Sequence, residues 1–191
     1  MKPIGNDADI CAASIAYKKG LVNLAFDLYK SLADEGHVES QIFVAWMLNQ
    51  GIGCVKSEEE AKNYFERAAS LGSPIGCFYY GRWLTKTGKH TEAYPLYLKS
   101  AKDGYLPSMF RVGYSLAHGE GVPIDRQSAY KILSSAALRG HVYALREIAV
   151  QDLKGGRGII GIPLGLIEFI LAFFSGIYLS MINDNSDLLR G

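Results

Sequence analysis

Cysteine is scarce in this chain, and so is charge of one sign. The 191 residues contain Cys11, Cys54 and Cys77, an odd number at unrelated spacings, which excludes a paired disulfide framework and fits no zinc-binding spacing. Cys11 and Cys77 read as small buried apolar groups and Cys54 as a loop residue. Twenty basic against nineteen acidic residues leave a net charge of +1, so no global field points to nucleic acid. The opening Met1-Lys-Pro-Ile-Gly-Asn-Asp-Ala-Asp9 is polar; without an apolar stretch it is not a secretory signal, and an oxidising compartment is not expected. His90 and His118 have no carboxylate or nucleophile at a recognisable spacing. Gly51-Ile-Gly53 and Gly119-Glu-Gly121 lack the third glycine and the Lys-Ser/Thr of a phosphate loop. They read as structural turns, and no catalytic residue, cofactor or metal is expected.

What the chain does have is a clock. Gly36, Gly72, Gly104 and Gly140 stand at intervals of 36, 32 and 36 residues, and each closes a segment that can be laid over the others. A period of this size marks a helical solenoid built from stacked helix pairs. An alanine precedes each glycine by eleven residues, at Ala25, Ala61, Ala93 and Ala129. A second small position recurs at Ala13, Ala45, Gly81, Gly113 and Ala149. Small side chains at fixed points allow two helices to cross closely. Ser57 with Glu60 predicts a capping box, Asp125 occupies the equivalent cap position, and His37 and His141, each following a closing glycine, read as turn or capping residues.

The fourth copy runs from Gly113 through Gly119-Glu-Gly121-Val, Asp125, Ala129 and Ala136-Ala137 to Gly140. This order resembles the SEL-like repeat family, a branch of the tetratricopeptide-like helical repeats, over residues 7–156. The match is specific in copies two and four, and looser in one and three, whose loops are shorter. The resemblance implies an all-α fold, a right-handed α-solenoid of about four and a half helix-loop-helix repeats followed by a C-terminal apolar helix. It also implies protein–protein interaction as the activity, with no chemistry of its own.

The fifth copy departs from the pattern after Gly156. Residues 158–182 hold one charged side chain, Glu168. A helix from about Pro163 to Ile182 would rise about 30 Å at roughly 1.5 Å per residue, close to the thickness of bilayer hydrocarbon. Lys154 and Arg157 precede it, and Asp184 and Asp187 follow. The expectation is a transmembrane tail anchor over 158–182 and a short polar tail over 183–191, with the repeats facing the cytoplasm. Glu168 would then meet a membrane partner, a second copy or the interface. The alternative is that this segment is the missing helix of repeat five, buried against the solenoid end or in an oligomer; Gly156-Arg-Gly158 imitates the Gly-x-Gly loop.

If the small positions face the partner helix, the residue one step later and the one three steps earlier point toward a groove, as they do in tetratricopeptide units. The first set is Trp46, Arg82 and Tyr114; the second is Ile42, Phe78 and Phe110; Asn49 and Thr85 lie one turn further on. The functional expectation is an adaptor tethered to a membrane and recruiting a protein or peptide in that groove, with a membrane protein as the favoured partner and a homo-oligomer left open. The alternative is a soluble regulatory or immunity-type repeat protein whose tail helix packs into a partner or homodimer.

Overall fold

A 13-residue helix is marginal alone in water, and α2 to α8 of this chain are each 13 residues long. Stability must therefore come from packing helix on helix. The computed structural model describes residues 7–154 and 161–182. The chain divides at Thr87 and Gly88 into two units. The first holds α1 (Asp7–Lys18), α2 (Val22–Asp34), α3 (Val38–Gln50), α4 (Glu58–Ser70) and α5 (Pro74–Lys86). The second holds α6 (His90–Lys102), α7 (Leu106–His118), α8 (Arg126–Leu138), α9 (Val142–Leu153) and α10 (Gly161–Ile182). Within each unit every helix packs on the next. The unit boundary falls in the short loop of the third copy.

The recurrent small residues sit where helices cross. Ala13, Ala25, Ala45, Ala61, Ala93, Ala129 and Ala149 are all 0–2% exposed, and Gly81 and Gly113 are buried with them. At Gly113 a Cβ would stand 2.6 Å from Leu133 Cγ, and at Gly76 one would stand 2.6 Å from the Ala69 backbone nitrogen. Neither site admits a larger residue without a shift. Around these crossings Phe26, Val44, Met47, Leu48 and Phe65 form the core of the first unit. Phe110, Leu133, Ala136, Ala144 and Ile148 form a core in the second.

Helix starts follow the predicted caps with one change. His37 Nδ1 accepts from the Ser40 N–H and His141 Nδ1 from the Ala144 N–H, both at 3.2 Å, so these histidines are N-caps. Asp125 accepts from the Ser128 N–H at 3.0 Å. Ser57 accepts from the Glu60 N–H at 3.3 Å, but the reciprocal half of the capping box is replaced: the Ser57 N–H donates to Leu48 O at 3.0 Å. The Asp125 N–H makes the same bond to Leu116 O at 2.9 Å. Each cap thus ties its helix to the end of the helix before it. Cys77 is buried as expected, whereas Cys11 is exposed.

The tail differs from the expected anchor. Among the described residues no helix is long and apolar enough to cross a membrane. Instead α10 packs along α9. The contact face is small: Gly161, Gly165 and Ala172 are buried and Glu168 is half-buried on the same stripe, with the Gly165 backbone close enough that a Cβ would lie 2.8 Å from Ala149 O. Glu168 therefore lies on the side of α10 turned to the repeats, because residues four or seven apart share a helix face. Residues 156–158, expected to form a loop, and 183–191 lie outside the described residues.

The two Gly-x-Gly loops explain their own composition. Gly119 and Gly121 have φ of 77° and 73°, a left-handed conformation that costs other residues roughly 1–2 kcal/mol. Gly121 also presses on the first residue of α6, where a Cβ would come within 2.3 Å of His90 O; Gly88, with φ +79°, has nothing within 4 Å. Gly121→Ala should cost roughly 2–4 kcal/mol, strain plus overpacking. Gly88→Ala should cost roughly 1–2 kcal/mol. Denaturant melts of the two variants check the difference.

Candidate functional site

The first unit opens a cleft of about 310 Å³ between α4 and α5, with Asn49 of α3 at its edge. Its wall is aromatic. Phe65 of α4 and Tyr79 of α5 stack with ring centroids 4.6 Å apart, and Trp83 lies one turn along α5. Its rim is charged: Glu58 and Lys62 come from α4, Arg82 and Lys86 from α5. Lys62 Nζ sits 5.1 Å from the Trp83 ring centroid and bridges Glu66 at 3.2 Å and Glu59 at 3.8 Å. Glu58 holds Lys86, and Lys56 approaches it at 3.9 Å. The Lys86 ammonium keeps the Glu58 carboxyl below its usual range.

Arg82 stands apart from this pairing. It is exposed, and its guanidinium rests over the Phe78 ring at 5.8 Å and the Tyr79 ring at 5.9 Å. Among the described residues no carboxylate bridges it. An arginine braced on aromatic faces keeps its planar donors pointed outward.

The other predicted groove residues divide by burial. Trp46 is half-buried and packs against Phe43 at 5.5 Å and Tyr17 at 6.3 Å. Tyr114, also half-buried, packs on His118 at 4.3 Å and Phe110 at 5.8 Å, with Arg111 at 5.6 Å. Thr85 is half-buried and donates back to Gly81 O at 3.0 Å. The row Ile42, Phe78 and Phe110 is not a free wall. Phe78 is 0% and Phe110 5% exposed, and Ile42 packs on the first unit's core. Arg82 and Trp46 belong to the first unit and Tyr114 to the second.

Sequence spacing missed several polar contacts because their partners are far apart in the chain. His118 Nε2 meets Glu147 Oε1 at 2.8 Å across 29 residues. Tyr64 donates to Asp34 at 2.9 Å, and Arg67 donates to the same carboxylate at 3.2 Å and to Ala33 O, a carbonyl in the last turn of α2. Burial first, then the Asp34 bond, push the Tyr64 phenol up to about 12. Arg139 donates to Gly104 O at 2.9 Å. These arginines satisfy carbonyls at helix ends. Burial raises the Cys54 thiol above its ordinary value, the opposite of what a reactive thiolate needs. Among the described residues no cluster of histidine, cysteine or acidic side chains could hold a metal.

Antiparallel helix pairs of constant length, joined by glycine turns and crossed at small residues, define a helical-repeat protein of the α-solenoid class. The sequence model of the Sel1 repeat matches residues 17–37, 38–73 and 106–141, so the chain contains Sel1 repeats over those segments. It is 28% identical over 165 residues to an exopolysaccharide production negative regulator of Rhizobium meliloti (strain 1021), covering 75% of this chain and 62% of that one. It is 31% identical over 140 residues to the ERAD-associated E3 ubiquitin-protein ligase component HRD3B of Arabidopsis thaliana, covering 63% and 23%. The chain therefore spans less than two thirds of the length of either relative. A solved Sel1 repeat protein from Oxalobacter formigenes superposes with a TM-score of 0.76 over 90% of this chain and 70% of that one, at 19% identity. Repeats of this kind are protein-interaction modules.

Core and surface at the cleft separate in a simple stability test. Phe78→Ala empties a fully buried ring site and should cost about 3–5 kcal/mol. Arg82→Ala removes an exposed side chain that no carboxylate bridges among the described residues, and should stay within about 1 kcal/mol of the parent. Chemical denaturation of both variants measures the contrast.

Proposed function

We propose that the chain is a non-enzymatic adaptor that recruits a protein or peptide partner through side chains left uncovered on the first helices of its repeats. One observation carries this reading: Arg82 is exposed and braced on two aromatic rings, beside a cleft whose wall is aromatic. Trp46 and Tyr114 offer half-buried aromatic faces at the same repeat position in their own copies. Arginine and large aromatic residues dominate interface energies because they bury much area and still hydrogen-bond. The relatives' names, a negative regulator and a ligase component, fit a part that works by contact with other proteins.

The tail enters as a second contact surface in place of the membrane tether expected from its composition. Its small residues are used on α9, while Leu166, Ile167, Leu171, Phe173 and Phe174 are 54–63% exposed. A contiguous apolar patch of that kind marks an interaction surface. We read it as covered by a partner protein or a second copy of the chain.

Affinity capture with the full chain tests the main reading. Replacing Trp46, Arg82 and Tyr114 together by alanine should weaken recovery of the partner about 30-fold, the loss that goes with a hot spot of about 2 kcal/mol. Circular dichroism reports whether the triple variant is folded, and Arg82→Ala alone keeps the test available if it is not. Unchanged recovery by folded variants would contradict recruitment through these residues.

A further inference from the structure

The cleft between α4 and α5 specifies more than a generic surface. Its rim carries three cations, Lys62, Arg82 and Lys86, against one carboxylate, Glu58. Lys62 and Lys86 are held by neighbouring glutamates, which leaves Arg82 as the cation without a carboxylate among the described residues. The rings of Phe78 and Tyr79 fix its guanidinium in place. A planar guanidinium with uncommitted N–H donors matches a carboxylate bidentately. Asn49, half-buried at the edge of the same cleft, has a side-chain amide that makes no hydrogen bond among the described residues. It offers both a donor and an acceptor, the pair that an extended peptide backbone needs. Beside both lies the half-buried Tyr79 ring, backed by the buried Phe65, which suits an apolar or aromatic side chain. A volume of about 310 Å³ is at the small end of ligand pockets, room for one or two side chains and not for a folded element.

We propose that this cleft binds an acidic peptide segment in which a carboxylate side chain meets Arg82, the backbone meets Asn49, and a neighbouring apolar or aromatic side chain lies against Tyr79. The proposal rests on the adaptor reading above and names the chemistry of its partner. Charge complementarity decides the occupant: a basic or neutral segment would leave Arg82 facing no counter-charge. A nucleic-acid phosphate would find a single uncommitted cation where backbone tracking needs several.

The test uses the full chain and two blocked hexapeptides, one alternating glutamate with phenylalanine and the other with glutamine in place of glutamate. Isothermal titration measures binding at low and at moderate salt. The acidic peptide should bind at least tenfold more tightly than its glutamine counterpart, and less tightly as salt rises. Arg82→Gln should lose at least tenfold, while Arg126→Gln, an exposed arginine at the start of α8, should change nothing. Equal binding of the two peptides overturns the acidic assignment. So does an affinity indifferent to Arg82→Gln, or no binding of the acidic peptide at millimolar concentration. Capture of protein partners by the same Arg82→Gln chain separates the two ideas: retained capture with no peptide preference removes this inference and leaves an adaptor that works through other residues.

Discussion

Two helices approach closely only where neither carries bulk at the crossing, and the other features of this chain depend on that steric condition. Ala45, Ala61, Gly81, Gly113 and Ala129 recur as buried small residues, and at Gly113 the side chain of Leu133 and the carbonyl of Ala129 on the next helix leave no room for a Cβ. Once the crossing is fixed, so is the rotation of each helix about its axis. That rotation sends Val44, Met47 and Leu48 into the core and leaves Arg82 outside it. The Gly-x-Gly loops add a second contact, pressing Gly53 on the start of α2 and Gly121 on the start of α6. A loop with any Cβ at those points could not dock.

Much of this was legible in the sequence because steric constraints repeat. The closing glycines, all with positive φ, the alanine clock and the histidine caps report local geometry that one residue type satisfies better than others. The groove was less legible. On an α-helix each residue turns about 100°, so Arg82 is about 100° from the crossing at Gly81 while Phe78 is only about 60° away. The nearer position stays inside the packed sector, which is why Phe78 and Phe110 are core. The cleft also takes Glu58, Lys62 and Phe65 from α4, a second helix that a rule built on first helices passes over. Contacts such as His118 with Glu147 join residues from different copies and leave no trace in spacing.

The tail shows what hydropathy measures and what it does not. Apolar residues in every direction around α10 say that water is an unsuitable neighbour, not whether lipid or protein replaces it. The geometry answers for one side: Gly161, Gly165 and Ala172 let α10 lie close on α9, with Glu168 on the same stripe. The leucines and phenylalanines of the other side are exposed, and they form the second, apolar surface of the proposal, beside the polar and aromatic one on α4 and α5.

The close-crossing account is tested most directly at Ala129, which is 0% exposed and whose carbonyl lies 3.4 Å from where a Cβ on Gly113 would be. Thermal unfolding of Ala129→Leu measures whether that crossing tolerates bulk. The account predicts a loss of roughly 1–3 kcal/mol from overpacking and a midpoint lower by several degrees. A midpoint equal to or above that of the parent would contradict the crossing on which the rest of the structure depends.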